Sequence, residues 1–171
     1  MKRTAAIALG SNLASKWGDR DANLREAISR VAELGEVRAV SKFYDTAPVG
    51  FAEQPNFLNG AILLATKLEP LELMRALLDI ERAMGRDRST AIAKGPRTID
   101  LDLLLMDDIV LASPRGLTNH TDHNDDPELT LPHPAMAQRR FVLEPLAEIA
   151  PALIDPLSGH TVADLLAALT N

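Results

Sequence analysis

The sequence predicts an α+β fold, a ferredoxin-like β-α-β-β-α-β core with a C-terminal helical extension, and three observations carry that prediction. Two stretches repeat their apolar residues at helical spacing. One stretch alternates them at strand spacing. Short β-rich runs separate these elements in the order named.

The first strand spans 4–9, an apolar run that ends in the turn-forming Gly10-Ser11-Asn12. A helix follows over 19–34, where Leu24, Ile28, Val31 and Leu34 recur three and four residues apart, with Asp19 or Asp21 as cap and Gly35 as stop. The β-rich segment 37–44 leads into a loop whose Pro48 and Gly50 end any regular element. A second β-like segment, 57–66, is too apolar for its two faces to be told apart. Pro70 then occupies a first helical position, and Leu71, Met74, Leu77, Leu78, Glu81 and Met84 keep helical spacing up to Gly85. The clearest strand is 98–106, with Ile99, Leu101, Leu103 and Leu105 on one face and Asp100, Asp102 and Leu104 on the other. Beyond a polar loop at 113–128, helices are expected near 134–138, 144–149 and 162–169.

The 171 residues, 46% apolar and 25% charged, fit a single domain over 1–171. With no cysteine, thiol nucleophiles, disulfides and Cys-based zinc sites are excluded. The apolar run after Met1-Lys2-Arg3 is five residues long, short of the roughly seven to fifteen of a secretion signal. No apolar run is long enough to span a membrane, so a cytoplasmic protein is expected. A net charge of −6 argues against a general nucleic-acid binder. That charge is unevenly spread: Arg82, Arg86, Arg88, Lys94 and Arg97 against Asp87 give 82–97 a charge of +4, while the remainder carries −10.

This basic stretch runs directly into Asp100 and Asp102. Two residues apart on a strand, they point the same way at roughly 6.5–7 Å between Cα atoms. Paired carboxylates there can hold hard cations along a phosphate chain, while guanidinium forks bond phosphate oxygens. A half-exposed strand beside a solvated basic loop fits the same residues, and residue chemistry leaves both readings open. No Walker-type Gly-x-x-x-x-Gly-Lys-Ser/Thr cradle occurs.

Phe57, Asn59 and Phe141 form a second group, notable in a chain with six aromatic residues. Rings could stack on a flat heterocycle whose edge an amide would bond, or the two phenylalanines could simply be core. Asn59 in an apolar strand needs partners either way. His133 sits between two prolines at a helix start, His120 and His123 lie in the polar loop, and Trp17 is expected to pack near the first helix.

Taken together, Ala8-Leu9-Gly10-Ser11-Asn12, Tyr44-Asp45-Thr46-Ala47-Pro48-Val49-Gly50, Gln54-Pro55-Asn56-Phe57-Leu58-Asn59, Gly85-Arg86-Asp87-Arg88, Gly95-Pro96-Arg97-Thr98-Ile99-Asp100-Leu101-Asp102, Leu131-Pro132-His133-Pro134 and Arg139-Arg140-Phe141-Val142-Leu143 resemble the 6-hydroxymethyl-7,8-dihydropterin pyrophosphokinase family of folate biosynthesis, and in that family's order. The resemblance implies a ferredoxin-like α+β fold and transfer of diphosphate from ATP to the pterin hydroxymethyl group, with release of AMP. It implies two Mg²⁺ ions on Asp100 and Asp102, and Arg86 and Arg97 assisting transfer. Glu81, Arg88, Thr130, His133 and Arg139 would contact ATP. Thr46, Val49, Phe57, Asn59 and Phe141 would form the pterin pocket, with the two rings sandwiching the heterocycle. Small-molecule substrates and a monomer, with neither nucleic acid nor membrane as partner, complete the expectation.

Two features depart from the family pattern. Ala93-Lys94 stands where many members carry Arg-Trp, and the 113–128 loop is long and acidic, with Glu128 near a basic position of some relatives. The alternatives are a non-catalytic pterin or nucleotide binder, and a Mg²⁺-nucleotide enzyme with another acceptor.

Overall fold

A computed structural model of the protein describes residues 2–48, 53–85, 98–112 and 129–169. Arg86, Arg88, Lys94, Arg97, Val49, the Ala93-Lys94 pair and the 113–128 loop with His120 and His123 lie outside the described residues.

Five strands, β1 (Arg3–Ser11), β2 (Glu36–Val40), β3 (Tyr44–Thr46), β4 (Phe57–Thr66) and β5 (Asp100–Met106), form one antiparallel sheet in the order β2-β4-β1-β5, with β3 also on β4. Helices α1 (Arg20–Val31) and α2 (Pro70–Ala83) precede and follow the β2–β4 segment, and α3 (Arg140–Ile149) and α4 (Val162–Ala167) close the chain. A single 3-10 turn, Met136–Gln138, introduces α3.

Local chemistry sets the helix starts. Asp19 caps α1 by accepting the Ala22 N–H at 3.0 Å, a contact of about 1 kcal/mol in such positions. In α2, Pro70 fills a first-turn position and Glu69 and Glu72 form a reciprocal capping box, the Glu72 carboxylate accepting the Glu69 N–H at 2.9 Å. Gly35 is required where α1 hands over to β2, because a Cβ there would stand 2.2 Å from the Ala65 carbonyl oxygen.

Alternation along the strands divides the core between two faces. Ala5, Ile7 and Leu9 of β1 join Ile62 and Leu64 of β4 and the buried faces of α1 and α2. Ala6 and Ala8 join Ala61, Val142, Leu143, Leu146 and Val162 under α3 and α4. The sheet is thus covered on both sides, and β1 gives the α3 layer smaller side chains than it gives the α1/α2 layer.

Four sequence expectations change. First, β1 does not end at Leu9: Gly10 pairs with Asn59 on one side and Asp100 on the other, so ladder bonds from both neighbours extend the strand through Ser11. Second, the 37–44 segment divides into β2 and β3, and the latter is separately registered on β4 through Tyr44↔Asn59 and Thr46↔Phe57. Third, β5 does not keep one alternation to its end. Ala6 pairs with Leu105 and Ile7 with Leu103, which leaves Leu104 as the extra residue of a bulge. Leu105 therefore joins the α3 face with Leu104, while Ile99, Leu101 and Leu103 stay on the α1/α2 face. α3 also begins at Arg140, earlier than its predicted start.

Candidate active site

One cleft opens on the α3 face of the sheet, lined by Ala8, Leu9, Gly10, Thr46, Ala47, Phe57, Asn59, Asp100, Asp102, Arg139, Phe141 and Val142. Its floor is the end of β1 between β4 and β5. Small residues make it: Ala8 pairs with Asp102 and Gly10 with Asp100, so the two carboxylates stand beside a surface with almost no side chain. Both are partly exposed, whereas Leu101 between them points the other way and is 3% exposed.

Gly10 is there for close approach. A Cβ at that position would lie 3.0 Å from Asn59 Oδ1 and 3.7 Å from Phe57 Cδ1, so any side chain would press on both. Asn59 is 6% exposed, and its Nδ2 donates to Thr46 Oγ1 across the β3–β4 pair. The amide that the sequence left in need of partners is thus held at the cleft wall.

The opposite wall is the start of α3. Phe141 and Val142 come from its first turn, and Arg139 is its cap residue, with the guanidinium 5.6 Å from the Phe141 ring centroid. A helix N-terminus carries partial positive charge, which with Arg139 balances the two carboxylates across the cleft.

His133 lies in the segment leading to that helix. Its N–H donates to the Leu104 carbonyl at 2.7 Å, and its Nδ1 accepts the Ala135 N–H at 3.1 Å. A neutral ring accepting at Nδ1 carries its proton on Nε2, which makes that atom a donor. Burial, then the positive charge of Arg139, holds the imidazole below its ordinary pKa, opposed by the negative charge of Asp100. His133 therefore shares its field with two residues of the cleft.

Of the predicted residues, Thr46, Phe57, Asn59, Phe141, Asp100, Asp102 and Arg139 meet in this one cleft. Glu81 does not line it. It is 1% exposed, and its Oε2 accepts the Leu101 N–H at 2.7 Å from the α2 side of the sheet. Thr130 is partly exposed beside Leu131, whose backbone bridges to Leu111. Sequence reasoning missed Ala8, Leu9, Ala47 and Val142 as lining residues, and took Gly10 for a turn. The available signal was the small-residue alternation Ala6, Ala8, Gly10 on a strand otherwise rich in larger aliphatics.

The donor set suits a hard divalent cation. Among the described residues no group of three or more His, Asp or Glu could cage an ion unaided. Two carboxylates in an open cleft fit Mg²⁺, which takes one or two protein carboxylates and completes its shell with phosphate and water oxygens.

Fold and cleft define an α+β protein with a cleft between a carboxylate pair and an aromatic wall. The family model of 7,8-dihydro-6-hydroxymethylpterin-pyrophosphokinase (HPPK) matches residues 6–151, and the chain belongs to this family of pyrophosphokinases. It is 43% identical over 162 residues to the 2-amino-4-hydroxy-6-hydroxymethyldihydropteridine pyrophosphokinase of Pseudomonas aeruginosa, covering 95% of this chain and 89% of that one. Similarity to the folic acid synthesis protein fol1 of Schizosaccharomyces pombe is 34% over 171 residues, where the chain spans 99% of its own length and 21% of the yeast protein. Among solved structures, a Plasmodium falciparum HPPK-DHPS with pterin and p-hydroxybenzoate superposes with a TM-score of 0.73 at 15% identity, over 98% of this chain and 44% of that one. That likeness concerns the fold. No helix among the described residues is long and apolar enough to cross a membrane.

Proposed function

We propose that this chain transfers diphosphate from ATP to 6-hydroxymethyl-7,8-dihydropterin, giving AMP and the pterin diphosphate for folate biosynthesis. One observation carries the reading: a single cleft holds the carboxylate pair, the two phenylalanine rings and the Asn59 amide together. Membership of the family and the sequence order of its motifs support the same assignment.

Phe57 and Phe141 are suited to stack on the two faces of the pterin, while Asn59 and Thr46 supply hydrogen bonds to its edge. Asp100 and Asp102 would hold two Mg²⁺ ions. When bound, these ions neutralise the triphosphate and align it for displacement. Arg139, the Nε2–H of His133 and Thr130 would serve as donors to ATP, and Arg86, Arg88 and Arg97 would bring further positive charge to the phosphates. The pterin hydroxymethyl oxygen then attacks the β-phosphorus in line, and AMP leaves. Phosphoryl-type transfer depends chiefly on positioning and charge stabilisation, so a dedicated general base is not required.

The strand order β2-β4-β1-β5 supports classing the core as ferredoxin-like, with β3 added on β4. We read the working unit as a single-domain cytoplasmic monomer with small-molecule substrates and no nucleic-acid partner. The test is AMP release with ATP, Mg²⁺ and the pterin together, set against omission of each. AMP formation that needs all three is expected. AMP formation independent of the pterin would point to another acceptor, and pterin binding without AMP would point to a binding protein.

A further inference from the structure

The strand β3 has three residues and pairs with β4 alone, yet it supplies Thr46 to the cleft wall. Something besides its ladder bonds must hold it in place. On the α3 side, Tyr44 Oη donates to Glu148 Oε1 at 2.6 Å, and the Glu148 carboxylate also accepts the Lys42 N–H at 3.1 and 3.2 Å. On the other side Arg20 bonds Asp45 at 2.8 Å and the Asn56 carbonyl at 2.8 Å.

Periodicity gives the Glu148 contact its meaning. Glu148 follows Phe141 by seven residues, two helical turns, so the two lie along one stripe of α3. Tyr44 and Thr46, two apart on β3, share a face of the strand. The helix and the strand are therefore tied together at one end, by Tyr44 and Glu148. At the other end they carry Phe141 and Thr46, the opposite walls of the cleft.

From this geometry we infer that Tyr44 and Glu148 are positioning residues, which set the separation between the α3 wall and the β3–β4 wall and so the fit of the flat heterocycle. The inference rests on the pterin reading above. The carboxylate is exposed, and exposed pairs contribute little to global stability. Loss of the tie should accordingly appear in ligand affinity and hardly in thermal stability.

The experiment compares Tyr44→Phe, Glu148→Ala and Glu148→Gln in the full chain, by steady-state AMP release and by calorimetric titration with the pterin in the presence of a non-hydrolysable ATP analogue. Tyr44→Phe and Glu148→Ala are expected to raise the pterin KM and Kd about tenfold, the scale of one hydrogen bond to a charged acceptor, with kcat, the ATP KM and Tm nearly unchanged. Glu148→Gln retains an acceptor for the hydroxyl and the Lys42 N–H and should restore wild-type affinity. Unchanged pterin affinity in Tyr44→Phe and Glu148→Ala, beside a wild type that binds and turns over the pterin, overturns the inference alone. So does an affinity loss that follows a lowered Tm and is not rescued by Glu148→Gln. A wild type that neither binds nor turns over the pterin overturns the functional reading, and this inference with it.

Discussion

Toward α1 and α2, β1 and β4 present Ala5, Ile7, Leu9, Ile62 and Leu64, each 2% exposed or less, whereas toward α3 β1 presents Ala6, Ala8 and Gly10, and β4 presents Ala61 beside the partly buried Leu63. The first face is filled by large aliphatic side chains from sheet and helices. On the second, small residues let α3 lie against Ala6 and Ala61 while Ala8 and Gly10 remain as the floor of a cleft. The strand alternation that seals one side thus leaves usable space on the other. Packing volume is spent on stability where the helices cover the sheet, and withheld where a ligand is to enter.

Substitutions on the two faces should therefore fail in different ways. The largest effect is expected at the cleft: Asp102→Ala should lower Mg²⁺-dependent AMP release by about a thousandfold, several kcal/mol of lost charge stabilisation, with Tm close to wild type. Full turnover by that variant would remove Asp102 from the metal site. On the sealed face, Leu64→Ala should cost about 2–5 kcal/mol of stability in urea unfolding, through lost burial and a cavity, and leave the pterin KM of the folded enzyme unchanged. Gly10→Ala should reverse that pattern. Its added methyl group presses on Asn59 and Phe57, raising the pterin KM about tenfold with only a small change in the unfolding midpoint.

The smallest effect concerns pH. The Tyr44 hydroxyl holds the Glu148 carboxyl below its usual value of 4.5, helped by the Lys42 N–H and charge and opposed by slight desolvation, while the same bond pushes Tyr44 up to about 12. A carboxylate with a lowered folded pKa adds stability that is complete above its unfolded value and is lost as pH falls through the folded one. Glu148→Gln should thus match wild type in acid, where Glu148 is protonated, and be slightly less stable above pH 4.5, so that its profile is flatter through that range, as read by thermal melts from acid to neutral pH.

Much of this molecule could be read locally. The helical spacing of Leu24, Ile28 and Val31, the capping at Asp19 and Pro70, and the side-by-side direction of Asp100 and Asp102 all depend on residues a few positions apart, where the backbone period governs. The carboxylate pair, the amide in an apolar strand and the scarce aromatics marked the site for the same reason: each is anomalous within its own element. The bulge at Leu104 was not legible, because an extra residue in β5 is defined only against the register of β1. Nor was Gly10 as a floor residue, since its value lies in its distance to Asn59 and Phe57, forty-odd positions away.

The kinds of element and the chemical types in the cleft thus follow from short-range pattern, because side-chain direction repeats every two residues on a strand and every 3.6 on a helix. Which face became core and which became cleft follows from strand pairing and helix docking, and the tie between the cleft walls joins Tyr44 to Glu148, 104 residues apart in the chain. No periodicity encodes a contact of that span. It exists only once the sheet has closed and α3 has docked on it, when the entropy of bringing distant segments together has already been met by the burial of both faces.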